Sequence, residues 1–371
     1  MYQYGLSLPE NRSTDIEGYT KYSINPTWLR LNQQIHQEAL QVFRKNIFVA
    51  ISTPWPQVYQ HVGRQGFVPL LAVDKVGERF ESYYLDVQIS SPTSEADMPF
   101  ERFIILLDDL KTFCDFWFYQ DLGYPGLNAN LDLKLVLKDP YAPAWEDRTI
   151  RKVLQEKLLA PFGVIRGLQD VKIVGETYES LESAMRKAMK ESVASPEACL
   201  AEGTRLKDEG NKLLKDKKYY EAIKKYEEAF FAVHVLVAGR RRSVWADAFF
   251  HTELHTGPFN RQFGHVVRII LRFKLVANII LAYLNLEQFE EAHFWGMRTI
   301  NLMGHVSPTE PMDFPAVNEI GKIFYRTARA CKELGYRKQA IKYYQLAIIY
   351  IPANKAHIEG AINALAQPMK I

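Results

Sequence analysis

In the C-terminal part of the chain, apolar and small residues return every three or four positions, the period of an amphipathic helix. LKDEGNKLLKDKKYYEAIKKYEEAF (Leu206–Phe230) predicts two short helices around a turn near Lys217. Its small residues Gly210, Ala222 and Ala229 mark where the two helices touch. KQAIKYYQLAIIYIP (Lys338–Pro352) repeats the second half, with Ala340, Tyr344, Ala347 and Pro352 at the places of Ala222, Tyr226, Ala229 and His234. LVANIILAYLNLEQFEEAHF is a third copy between them, with Ala292 in the place of Ala222.

The first half has another rhythm. Ile47–Ser52, Tyr83–Ile89, Leu131–Leu137 and Asp170–Gly175 read as strands. Helices are expected over Pro26–Lys45, Phe100–Tyr119, Trp145–Gly167 and Tyr178–Ser192. The strand–helix alternation predicts βαβ-type units, in an α/β or α+β domain over residues 1–192. LDDLKTFCDFWFY crowds aromatics into one helix, as core, and Asp108, Asp109 and Asp115 are expected on its solvated face.

The C-terminal copies resemble the tetratricopeptide repeat, a helix–turn–helix unit of about 34 residues. The resemblance covers roughly Ala198–Gln367 and implies an all-α superhelix over 198–371, with three repeats and a capping helix in ANKAHIEGAINALA. Ala222 and Ala292 are 70 residues apart, so about one repeat's worth of extra chain separates the first two units. That insertion is placed at 237–267, and a second, shorter one around GHVSPTEPMDFPA.

In such stacks the first helix of each hairpin lines the groove. Lys207 and Asn211 are four apart and share a helix face, as do Lys322 and Arg326. Asn278 and Arg326 each lie 14 residues before their repeat's alanine, Ala292 or Ala340, so they are equivalent. The pattern is similar to the dicarboxylate clamp of tetratricopeptide co-chaperones, among them the organising co-chaperone and the large immunophilins. The resemblance implies that Lys207, Asn211 and Asn278 hold the terminal carboxylate of a peptide ending Glu-Glu-Val-Asp, with Lys322 and Arg326 on its acidic side chains. The implied partners are the tails of seventy- and ninety-kilodalton heat-shock chaperones, and the N-terminal domain would bring a client or second partner. Charge-assisted hydrogen bonds make that chemistry sensible.

INPTWLRLNQQIHQEALQVFRKNIFVAIS resembles a segment of fungal F-box-like proteins, which implies a ubiquitin-ligase substrate receptor as the alternative. A third alternative is an enzyme with an unrecognised N-terminal site. No GxSxG elbow, phosphate-cradling loop or CxxC pair is present, so binding rather than catalysis, without a cofactor, is the expectation.

Composition narrows the field further. The 371 residues carry a net charge of +3, too little to imply nucleic acid. Three distant cysteines form no closed disulfide framework and fit a reducing compartment. The N-terminus has no apolar signal core, and Ile269–Leu286 is interrupted by Arg272, Lys274 and Asn278. A cytoplasmic location without membrane contact is therefore expected, with the nucleus as alternative. In HTELH, His251 and His255 would share a helix face and hold zinc, but a polar insertion loop is the better reading. Arg240, Arg241 and Arg242 are expected as solvated loop residues.

Overall fold

A computed structural model of the chain describes residues 6–23, 26–92, 100–143, 145, 149–304 and 314–366. Most of the second, proline-rich insertion lies outside these residues, as does Gln367. The chain forms two compact units, residues 1–193 and 194–371.

The first unit opens with a small antiparallel hairpin of β1 (Arg12–Thr14) and β2 (Thr20–Tyr22). Helix α1 (Gln33–Phe43) follows a 3-10 turn at Pro26–Arg30, so the long helix expected there is broken. Asn32 caps it, its side chain accepting from the Ile35 N–H at 3.0 Å. A six-stranded mixed sheet is built from β3 (Phe48–Thr53), β4 (Ala72–Val73), β5 (Leu85–Ser90), β6 (Glu101–Leu106), β7 (Asp132–Leu137) and β8 (Asp170–Val174). Its order is β4-β6-β3-β5-β7-β8. The pairs β3/β5 and β7/β8 are parallel and the others antiparallel.

Helix α2 (Leu107–Gly123) starts later than expected, because Glu101–Leu106 is strand. After Glu101 and Arg102 that stretch is an apolar run without alternation, Phe103–Leu106, the pattern of an inner strand covered on both faces. Phe113, Phe116 and Trp117 of α2 do form core, while Phe118 and Tyr119 are only partly buried: Phe113 meets Phe103 edge-on at 5.8 Å, and Trp117 donates to Asn128 Oδ1 at 2.8 Å. Asp109 corrects the expectation of a solvated acidic face. It is 1% exposed, accepts from Tyr22 Oη at 2.7 Å, and has Arg12 at 3.8 Å. Burial raises its carboxyl pKa despite those partners. Helix α3 (Lys152–Leu159) is also shorter than expected and runs into a 3-10 turn at Ala160–Val164, and α4 (Glu179–Met189) closes the unit.

The second unit is a series of helical hairpins. α5 (Pro196–Lys215) pairs with α6 (Tyr219–Ala232), α7 (Gly264–Asn285) with α8 (Phe289–Leu302), and α9 (Val317–Glu333) with α10 (Arg337–Tyr350). α11 (Lys355–Ala366) follows, and Ile358 joins it to the core. The three connections share one geometry. Lys217, Glu287 and Gly335 each adopt positive φ, and the next residue's N–H reaches back five positions: Lys218 to Leu213, Gln288 to Tyr283, Tyr336 to Cys331, at 2.9, 2.9 and 2.8 Å. This is the Schellman closure, which satisfies the last carbonyls of each first helix. Ala222, Ala292 and Ala340 are all fully buried. One apolar cluster runs from Cys199 to Ile358, burying what a single hairpin leaves open.

The first insertion is not a polar loop. It contains a β-hairpin, β9 (Val235–Ala238) and β10 (Arg241–Val244), and a one-turn helix at Asp247–Phe250. Arg240 pairs with Glu291 of α8 at 2.7 Å, and Arg242 lies over the rings of Phe230 and Trp295. Arg298 of α8 donates to the carbonyls of Arg240 and Arg242 at 3.1 and 2.8 Å. Arg240 and Arg242, expected in solvent, therefore fasten the hairpin to the neighbouring repeat. Residues 252–255 lie beyond the one-turn helix, so His251 and His255 share no helix face; His251 packs on His265, ring centres 4.5 Å apart. Among the described residues no helix is long and apolar enough to cross a membrane, and no three His, Cys, Asp or Glu side chains group as metal ligands.

Candidate functional site

The first helices of the three hairpins, α5, α7 and α9, carry all five polar residues singled out by spacing. Three of them meet. Asn278 Nδ2 donates to Asn211 Oδ1 at 2.7 Å, and Arg326 Nη1 lies 3.4 Å from Asn278 Oδ1. Arg326 also donates to the carbonyl of Ala277. Each hairpin thus contributes one side chain to a single string.

A fourth member comes from a second helix. Tyr226 Oη, on α6, donates to the same Asn211 Oδ1 at 3.0 Å. Its repeat position marks it only as a packing residue, and no sequence signal separates it from Tyr344. The contact depends on Gly210: a Cβ there would lie 2.5 Å from the Tyr226 ring. Burial pushes the Tyr226 phenol up to about 12, opposed by the Arg326 charge and the Asn278 amide, so it stays protonated and able to donate.

Arg326 is the electrostatic centre. Burial pulls its guanidinium down to about 10, with the neighbouring Arg329 charge acting the same way, yet it remains charged at neutral pH. Among the described residues no carboxylate lies within ion-pair distance of it. Arg has five N–H donors, and the contacts above use only those of Nη1.

The two lysines stand apart from this string. Lys207 Nζ is 3.0 Å from Asp208 Oδ1, with its side chain mostly buried. Lys322 Nζ is 3.7 Å from Glu319 and half exposed. Among the described residues, these are their ion pairs. Asp208 also faces the Asn211 amide, Nδ2 to Oδ1 3.4 Å. One carboxylate of the chain itself thus sits between two of the five groups.

The first unit has a cavity of about 410 Å³ whose polar lining is Lys45, Asn46, Asp108, Arg151 and Lys157. The four charged groups among these are exposed side chains.

No family model matches the chain, and no curated protein matches it. Among solved structures it is similar to the C-terminal TPR-containing domain of an FK506-binding protein from Plasmodium falciparum, with 16% identity and a TM-score of 0.32, over 46% of this chain and 91% of that one.

Proposed function

We propose that the second unit is a peptide-binding module and the chain a co-chaperone or adaptor that works by tethering rather than catalysis. Lys207, Asn211 and Asn278 take the terminal carboxylate of an acidic peptide of the Glu-Glu-Val-Asp type. Lys322 and Arg326 take its acidic side chains. The observation that carries this reading is the Asn211–Asn278–Arg326 string, in which three hairpins deliver amide and guanidinium groups to one place. Arg326 adds a buried positive charge with donors to spare and no carboxylate of the described chain beside it. A buried charge of that kind favours an anionic partner. Several such contacts together reach micromolar affinity, about 8 kcal/mol.

The experiment is a calorimetric titration of the full chain with Met-Glu-Glu-Val-Asp, as the free acid and as the C-terminal amide. The free acid is expected to bind, more weakly as salt is raised. Amidation, Asn278→Ala and Lys322→Ala are each expected to remove most of the binding. Equal binding of acid and amide, or none of either, would overturn the proposal.

A further inference from the structure

The inserted hairpin brings Arg242 to a cavity of about 210 Å³ formed with α7 and α8. Two guanidiniums line it, Arg242 from β10 and Arg272 from α7. Arg298 of α8 adds a third positive charge that acts on both. The carboxylate acting on Arg272 is Asp247, which is 83% exposed and already paired with Arg268 at 2.7 Å. Among the described residues, neither Arg242 nor Arg272 has a carboxylate within ion-pair distance. Arg242 instead lies over the rings of Phe230 and Trp295, 5.6 and 5.3 Å from their centres.

Like charges gathered in a partly desolvated place repel one another and lose hydration. Burial, then the charges of Arg298 and Arg272, pull Arg242 down to about 9, which still leaves it charged at neutral pH. An anion entering the cavity would relieve both costs. The rest of the lining is Ile269, Phe273, Val276, Leu302 and Met303, all apolar, and Thr299, whose hydroxyl donates to the Trp295 carbonyl at 3.1 Å. A hydrated inorganic anion would be held by the two guanidiniums on one side but would lose water against the apolar walls with nothing to replace it there. A carboxylate on a short hydrocarbon stem suits both halves of the lining, since the planar guanidinium fork matches a carboxylate.

We infer that this cavity between the hairpin and the second repeat binds a small organic carboxylate with an apolar stem, held by Arg242 and Arg272. The volume leaves room for a short hydrocarbon stem beside the carboxylate. None of the five groove residues lines the cavity, so this site stands independently of the peptide reading.

The test is a titration of the full chain with pentanoate, pentylammonium and inorganic phosphate, each followed by calorimetry and chemical-shift mapping. Saturable pentanoate binding is expected, with none for pentylammonium and weaker binding for phosphate. Arg242→Gln and Arg272→Gln should each weaken pentanoate by about tenfold or more, the loss of charge-assisted hydrogen bonds. Leu302 is 69% exposed at the cavity's edge, so Leu302→Trp should block entry while leaving the fold and both arginines in place. The inference fails if pentanoate does not saturate. It fails equally if phosphate binds as well as pentanoate, or if Arg272→Gln and Leu302→Trp leave binding unchanged.

Discussion

Asn278 donates a 2.7 Å hydrogen bond to Asn211, 67 residues earlier in the chain. The same Asn211 offers its amide N–H to Asp208, whose carboxylate also holds Lys207. On the proposed peptide reading, Asp208 competes for two of the groups that would take the peptide's terminal carboxylate. Replacing it with Asn removes the competing charge and leaves the helix intact. Because an exposed pair is worth about 0–1 kcal/mol, Asp208→Asn should tighten free-acid peptide binding about two- to fivefold. The gain should shrink as salt is raised. Calorimetry at two salt concentrations checks both, and weaker binding by the variant would count against Asp208 as a competitor.

Tyr226 and Tyr344 occupy equivalent repeat positions, but a hydrogen bond to a neighbouring helix is found only for Tyr226 among the described residues. Tyr226→Phe should cost about 1 kcal/mol, the net worth of a hydrogen bond partly shielded from water. Tyr344→Phe should cost less than about half of that. Urea unfolding of both variants measures the difference, and equal losses would show that the phenol contact adds nothing beyond packing.

His234 is buried and its pKa is lowered from 6.5 to about 4, first by burial and then by the Arg268 charge. The folded state therefore holds it neutral, whereas the unfolded chain takes up a proton near its ordinary value. Between about pH 6.5 and 4 the unfolded state binds more protons, so stability falls as pH falls through that window. The full effect is about 3 kcal/mol. His234 also has positive φ, which Asn tolerates. In His234→Asn this part of the pH dependence should disappear, as measured by denaturation midpoints from pH 7 down to 4.5. A slope unchanged by the substitution would place the pH dependence elsewhere.

The three Schellman turns are closed by Lys217, Glu287 and Gly335, yet only the last is the residue suited to positive φ. Lys217→Gly and Glu287→Gly should each stabilise the chain by about 0.5–1 kcal/mol. Gly335→Ala should destabilise it by about 1 kcal/mol. Thermal unfolding of the three single variants tests the signs, and a destabilised Glu287→Gly would mean that its side chain contributes more than its strained backbone costs.

Local periodicity carried the helical hairpins into view. Ala222, Ala292 and Ala340 stand at matching helix crossings, and equal spacing put Asn278 and Arg326 in the same phase, where their side chains lie 3.4 Å apart. What stayed hidden depends on partners distant in sequence. Glu101–Leu106 reads as helix because its apolar end, Phe103–Leu106, shows no alternation, and that β3 and β4 flank it is not written locally. Arg240 and Arg242 read as solvated because their partners, Glu291 and Trp295, arrive some fifty residues later. Asp109 looks like surface until Tyr22, 87 residues away, folds onto it. Tyr226 has the sequence of a packing residue, and only the closeness of Asn211 gives its hydroxyl a task.

The hairpin at Val235–Val244 has a consequence for the unit as a whole. It leaves the chain after the first pair of helices and is fastened to the second through Glu291 and Arg298. Ordinary repeat arrays are modular: units are added, lost or exchanged because each meets only its neighbours through one standard face. Here a non-repeating piece is riveted across that joint. Exchanging the second pair for a consensus unit would take Glu291 from Arg240 and Trp295 from Arg242. The first two pairs are therefore physically coupled, and replacing one alone disturbs the contacts that hold the hairpin.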